Sequence, residues 1–142
     1  MIEAYAARLL GDDPAAQLEA ARAWSVWEGT TVSLLASPER MASFAGEQFA
    51  LAFARIENHY FRHGGFFETD DWLLENAPKL GATPGVIVQG RYDVVTPMRT
   101  AWQLEKAWPG GRLITVPDAG HAASEPGIVS ALVTATDRFA GG

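Results

Sequence analysis

Through about residue 80 the apolar positions recur every three or four residues, and beyond Pro84 they come in short β-branched runs. Asp12-Asp13-Pro14 supplies an N-cap acid and a first-turn proline, a good helix start. The stretch Ala15 to Glu28 then sets Leu18, Ala21, Arg22, Ser25 and the Trp24/Trp27 pair at helical spacings. Ser37-Pro38-Glu39 starts a second helix by the same logic. It runs to about Arg62 with a break at Gly46, carrying Phe49, Phe53, Ile56 and Tyr60 at i, i+4, i+7 and i+11. Gly64-Gly65 ends it, and a short helix near Asp70 to Asn76 precedes Pro78. At the amino end, Ile2 to Leu10 reads as the middle of a helix with no cap before it, a hint of truncation.

After Pro84 the pattern predicts strand, helix, strand, helix. Gly85-Val86-Ile87-Val88-Gln89-Gly90 is a buried strand closed by glycine. Thr96-Pro97 caps a helix to about Trp108, with Met98, Ala101, Leu104 and Ala107 or Trp108 on its apolar face. Pro109-Gly110-Gly111 is a turn, and Arg112 to Val116 is a second strand. A closing helix from Pro126 to Phe139 turns Ile128, Leu132, Ala135 and Phe139 inward. This order implies a right-handed βαβ unit in a parallel sheet. Parallel sheets are covered on both faces and have several strands, so the sequence predicts more sheet than it contains. The expectation is a part of a larger α/β fold.

Composition narrows the function. At 142 residues, 48% apolar and 20% charged, the chain can bury a core. A net charge of −6, with 11 basic residues and no basic run, excludes a nucleic-acid or anionic-membrane surface. Cysteine is absent, which removes disulfides, thiolate metal sites and thiol nucleophiles, and fits a cytoplasmic protein. No signal-peptide pattern opens the chain, and no apolar run reaches the roughly 18 residues of a membrane span.

The chemistry sits in the loops after the two strands, which the crossover brings to one sheet edge. The first is Gly90-Arg91-Tyr92-Asp93 and the second Asp118-Ala119-Gly120-His121. Asp93 and His121 emerge side by side, and an aspartate there can accept the imidazole Nδ1–H, fix its tautomer and stabilise the imidazolium. Acid followed by histidine is the chain order of α/β-hydrolases, whose serine comes earlier. Arg91 and Tyr92 read as structural supports of the acid's turn.

The segments GRYDVVTP, KAWP and AGHAASEPGI resemble the C-terminal catalytic segment of proline iminopeptidases, and AWSVWEG and ARIENHYF resemble two segments of that family's helical cap. The resemblance covers nearly the whole chain. It implies the C-terminal part of an α/β-hydrolase fold, with a helical cap region over 1–80 and part of the core over 81–142. It also implies a serine exopeptidase that releases N-terminal proline from a peptide substrate, with no metal and no cofactor. Asp93 matches the family's triad acid and His121 its base. Glu28 and Glu57 match the cap carboxylates that hold the substrate's free amino end, a role suited to partly buried anions facing a cation.

The nucleophile is missing. None of Ser25, Ser33, Ser37, Ser43, Ser124 and Ser130 has the Gly-x-Ser-x-Gly setting after a strand. The chain alone is therefore expected to be inactive, since losing a triad serine costs on the order of 10⁶ in rate. His63-Gly64-Gly65 imitates an oxyanion-hole motif but follows a helix, so it reads as a helix terminator. His59 and His63 have helical metal-site spacing without a third ligand. The aromatic residues around Trp24, Trp27, Phe49 and Phe53 read first as core and only then as lining for a proline ring. Two other readings stay open: another capped α/β-hydrolase of esterase or epoxide hydrolase type, and a non-catalytic truncated product. An orphaned sheet also predicts association, either with a missing N-terminal half or with itself.

Overall fold

The computed structural model describes residues 1–141. Among them are seven α-helices and two strands: α1 (Ile2–Leu9), α2 (Pro14–Thr31), α3 (Pro38–Phe44), α4 (Glu47–Arg62), α5 (Trp72–Asn76), β1 (Gly85–Gly90), α6 (Met98–Ala107), β2 (Gly111–Val116) and α7 (Pro126–Ala140). They form two compact units. The first holds Met1–Thr30 and Ala36–Asp70, and the second holds Thr31–Leu35 and the chain from Asp71 onward.

The first unit is all helix, and its seam is built from small residues. Leu9, Ala20, Ala21, Trp24, Ala50 and Ala54 are buried together, with Ile2, Tyr5, Leu51 and Phe53 packed around them. Alanines let helix backbones approach closely, so the larger side chains flank the seam instead of filling it. This corrects the periodic reading of α4: its buried face is Ala50, Ala54 and Asn58, while Phe49, Ile56 and Tyr60 are exposed. Trp27 is likewise exposed at 60%.

Polar contacts tie the helix ends. The Asp13 carboxylate accepts the Ala15 amide at 2.9 Å, and the Ser37 hydroxyl accepts the Arg40 amide at 3.2 Å, as the two Pro-containing starts predict. The Arg55 guanidinium donates to the Leu9 carbonyl at 3.1 Å, capping α1, and the Asn58 amide donates to the Ile2 carbonyl at 3.0 Å. The long second helix breaks at Gly46, which becomes the N-cap of α4. Three successive residues, Gly64, Gly65 and Phe66, adopt positive φ after α4 and end it as a 3₁₀ turn.

In the second unit β1 and β2 pair in parallel, in register from Gly85 opposite Gly111 to Gly90 opposite Val116. The crossover helix α6 and the closing helix α7 both pack on the two strands. Val116, Ala119 and Ile128 form the buried cluster, with Val88 and Ala131 against it. The paired glycines at the strand starts have a function: a β-carbon on Gly85 would come within 1.9 Å of the Trp108 ring, and one on Gly111 within 2.9 Å. Trp108 lies over that glycine pair and donates its indole N–H to the Thr83 carbonyl at 3.0 Å.

Two expected details differ. Thr96 does not cap α6, whose N-cap is Pro97 with no side-chain cap bond, because the Thr96 hydroxyl is turned to Asp93. Only Ile128 and Ala135 of the closing helix are buried; Leu132 is 39% exposed and Phe139 55%. A two-stranded sheet is too narrow to cover a helix of 15 residues along its whole apolar stripe.

Candidate active site

β1 and β2 end level with each other, and backbone bonds stitch the loops that follow. The Arg91 amide donates to Val116 at 2.9 Å, and the Tyr92 amide to Ala119 at 3.0 Å. The supports are thus the backbones of Arg91 and Tyr92, whose side chains face outward. This stitching brings Asp93 and His121 together, with Asp93 Oδ2 2.9 Å from His121 Nδ1. The Asp93 side chain is 4% exposed and that of His121 37%.

The Asp93 carboxylate is ringed by hydrogen-bond donors. Oδ1 accepts the amides of Val95 at 2.9 Å and Thr96 at 2.8 Å. Oδ2 accepts the Gln89 amide group at 3.0 Å and the Thr96 hydroxyl at 2.9 Å, besides the imidazole. Burial works to raise the carboxyl's pKa. The Thr96 amide, His121, the Thr96 hydroxyl and the His121 charge act against it and together hold Asp93 below the ordinary carboxylate range. An ionised Asp93 beside Nδ1 makes Nδ1 the protonated nitrogen and leaves the Nε2 lone pair free to take a proton.

The histidine loop is held from two sides. The His121 and Ala122 amides donate to the Val32 carbonyl at 2.9 and 2.6 Å. Glu125 accepts the Gly120 amide at 2.8 Å and the Leu34 amide at 3.3 Å. The segment Thr31–Leu35 therefore serves as a brace for the loop that carries His121.

In the helical unit, Glu28 is buried on α2 at 6% exposure, one turn beyond Trp24. Glu57, half-buried on α4, accepts the Trp24 indole N–H at 2.6 Å. Trp24 packs edge-on against Tyr5, with ring centroids 5.1 Å apart, and lies 6.0 Å from Phe61. A carboxylate thus lies beside an aromatic group in a helix pair.

The sequence model of the TAP-like protein family matches residues 68–139, just over half of the chain. The chain belongs to this family of α/β-hydrolases. It is similar to a probable proline iminopeptidase of Leptolyngbya boryana, 58% identical over 139 residues, covering 98% of this chain and 43% of that protein. It is also similar to the proline iminopeptidases of Arabidopsis thaliana, at 49% identity with coverage of 98% and 37%, and of Neisseria gonorrhoeae, at 44% with 96% and 43%. The chain spans less than half the length of these relatives and corresponds to their C-terminal part.

Within this α/β-hydrolase chain the sequence reading missed Gln89, Thr96 and Glu125. The signals were present: Gln89 is the one polar break in a Val-Ile-Val strand, and Thr96 stands three residues after the acid, where an Asx-type turn returns to the aspartate. The two histidine features lie on α4 and at its end. His63-Gly64-Gly65 follows α4 as its terminator. His59 and His63 lie with ring centroids 4.5 Å apart, but His63 Nδ1 is 2.7 Å from the His59 carbonyl and its ring stacks on Phe66. Among the described residues no group of three metal-ligating side chains occurs, and no helix is long and apolar enough to cross a membrane.

Proposed function

We propose that this chain supplies the acid, the base and the substrate-gripping carboxylates of a serine aminopeptidase that releases N-terminal proline from peptides. The observation that carries this reading is the 2.9 Å contact of Asp93 Oδ2 with His121 Nδ1, made by an aspartate already saturated with donors. The likeness to proline iminopeptidases supports the choice of substrate.

In the working enzyme, His121 Nε2 takes the proton of a serine hydroxyl as its oxygen attacks the prolyl carbonyl. The imidazolium is held by Asp93 and then gives that proton to the leaving amine. A water loses a proton to the same nitrogen, attacks the prolyl ester and frees proline, and the serine recovers its hydrogen from the imidazolium. The serine and its oxyanion hole come from a part of the enzyme that these 142 residues do not include. Residues 1–80 act as the cap and 81–142 as part of the core. Glu28 and Glu57 pair with the ammonium of the substrate's N-terminal proline, restricting cleavage to chain ends.

The test is reconstitution. Mixed or co-expressed with the nucleophile-bearing segment of a close relative, the chain should release arylamine from a prolyl arylamide, and alone it should not. Hydrolysis of simple esters with no preference for proline would point instead to another capped hydrolase. No hydrolysis in any pairing would sink the enzymatic reading.

A further inference from the structure

Gln89 is the only polar side chain inside the strand run that leads to the acid, and it is buried at 9% exposure. A buried amide is costly unless its protons are bonded. Gln89 Nε2 donates to Asp93 Oδ2 at 3.0 Å and to the Thr96 carbonyl at 2.8 Å, so one side chain pins both ends of the turn 93–96. The Thr96 hydroxyl gives its single proton to Asp93 Oδ2 at 2.9 Å and stands 3.2 Å from His121 Nδ1. With its hydrogen committed to the carboxylate, that oxygen offers a lone pair to the imidazole. A hydrogen on Nδ1 therefore has two acceptors within reach, Asp93 Oδ2 and Thr96 Oγ1.

We propose that Gln89 and Thr96 are positioning residues that lock the Asp93 carboxylate in the orientation and charge state that fix the His121 tautomer. The proposal rests on reading Asp93 and His121 as an acid–base pair. A carboxylate held by donors on both oxygens cannot turn about its own axis without breaking several hydrogen bonds at once. Remove the Thr96 hydroxyl or the Gln89 amide and Oδ2 loses a partner that does not depend on His121. The carboxylate can then swing away or bind a proton, and the imidazole hydrogen is free to move to Nε2. A histidine protonated at Nε2 cannot accept the serine proton there.

The chain itself, labelled with ¹⁵N at histidine, provides the readout, because the ring-nitrogen shifts of neutral His121 report the ratio of Nδ1–H to Nε2–H. In the wild type Nδ1–H should dominate. Thr96→Val and Gln89→Leu should each shift the ratio several-fold towards Nε2–H, and Thr96→Ser, which keeps the hydroxyl, should retain the wild-type ratio. A residue that merely stabilised the fold would lower the unfolding midpoint and leave the ratio of the folded chain untouched. Should Gln89→Leu fail to fold, the comparison of valine with serine at position 96 decides. Asp93→Asn separates the two levels of the argument. A wild-type ratio that collapses in Asp93→Asn but holds in Thr96→Val and Gln89→Leu overturns the proposal alone. A wild-type ratio equal to that of Asp93→Asn overturns the acid–base reading and the proposal with it.

Discussion

Gly90, the last residue of β1, lies backbone to backbone against Gly120: a β-carbon on Gly90 would come within 1.9 Å of the Gly120 carbonyl oxygen and 2.7 Å of that of Ala119. This close approach allows the loop carrying the acid and the loop carrying the histidine to share hydrogen bonds. Gly90→Ala should therefore separate the loops as well as strain them. Overpacking of this kind costs roughly 1–3 kcal/mol, and more where the obstacle is backbone. The expected outcome is a urea midpoint well below wild type, with loss of the Asp93–His121 coupling in any variant that still folds. A midpoint within error of wild type would mean that the loops can part without cost.

Replacing Asp93 by asparagine tests the pair itself. The amide can keep several contacts of the carboxylate, but it carries no charge to stabilise an imidazolium and can hold His121 in the wrong tautomer. A loss of about 10⁴ in kcat is expected in the reconstituted enzyme, with KM for a prolyl arylamide little changed. A loss of less than tenfold would argue that Asp93 is not the triad acid.

The same carboxylate ties stability to pH. Its folded-state pKa lies below the ordinary carboxylate value, because hydrogen bonds and the His121 charge outweigh burial. As the pH falls, the unfolded chain takes up this proton first. The contribution of Asp93 is thus complete above the ordinary carboxylate range and is lost as the pH drops through the folded-state value. Urea midpoints from about pH 7 down to about pH 3 should show wild type more stable than Asp93→Asn at the upper end, with the gap closing at the lower end. A gap that stays constant across that range would contradict the assignment.

Much of the second unit could be read from the residues. Glycine-bounded β-branched runs mark both strands, and loops at the ends of parallel neighbours bring Asp93 and His121 together. What could not be read was the polar framework behind the pair. Thr96 before Pro97 looked like a helix cap, since sequence spacing does not say which way a hydroxyl turns. The brace from Thr31–Leu35 to the histidine loop joins segments some ninety residues apart, and local pattern carries no trace of it. In the helical unit, spacing found α4 but misjudged its buried face, because an alanine seam buries the least conspicuous residues.

Glu57 offers a test of specificity. Its carboxylate accepts the indole N–H of Trp24 at 2.6 Å, a bond that fixes its position on α4. Glu57→Gln should raise KM for a prolyl arylamide in the reconstituted enzyme by ten- to a hundred-fold, on the order of 1–3 kcal/mol, while leaving a simple p-nitrophenyl ester almost untouched. Trp24→Phe should move the same substrate in the same direction by a smaller factor. Equal losses on both substrates would show that Glu57 serves the fold and not the substrate's amino end.

The remaining prediction concerns association. Val94 is 70% exposed, Trp102 52%, Val133 52% and Phe139 55%, all within a unit whose sheet has two strands among the described residues. Each strand of such a pair has an edge with no strand beside it, and the half-exposed stripes of the helices packed on the pair add apolar area at the same unit. Surfaces of this kind are covered either by further strands of the same fold or by other copies of the chain. Purified alone, the chain should elute from a sizing column well above its 15.3 kDa mass and move towards the monomer position in mild detergent. Adding the nucleophile-bearing segment should compete with self-association, giving a defined one-to-one complex in place of larger species. A sharply unfolding monomer that ignores that segment would mean the exposed residues need no partner, and the association expected of a two-stranded sheet would have to be abandoned.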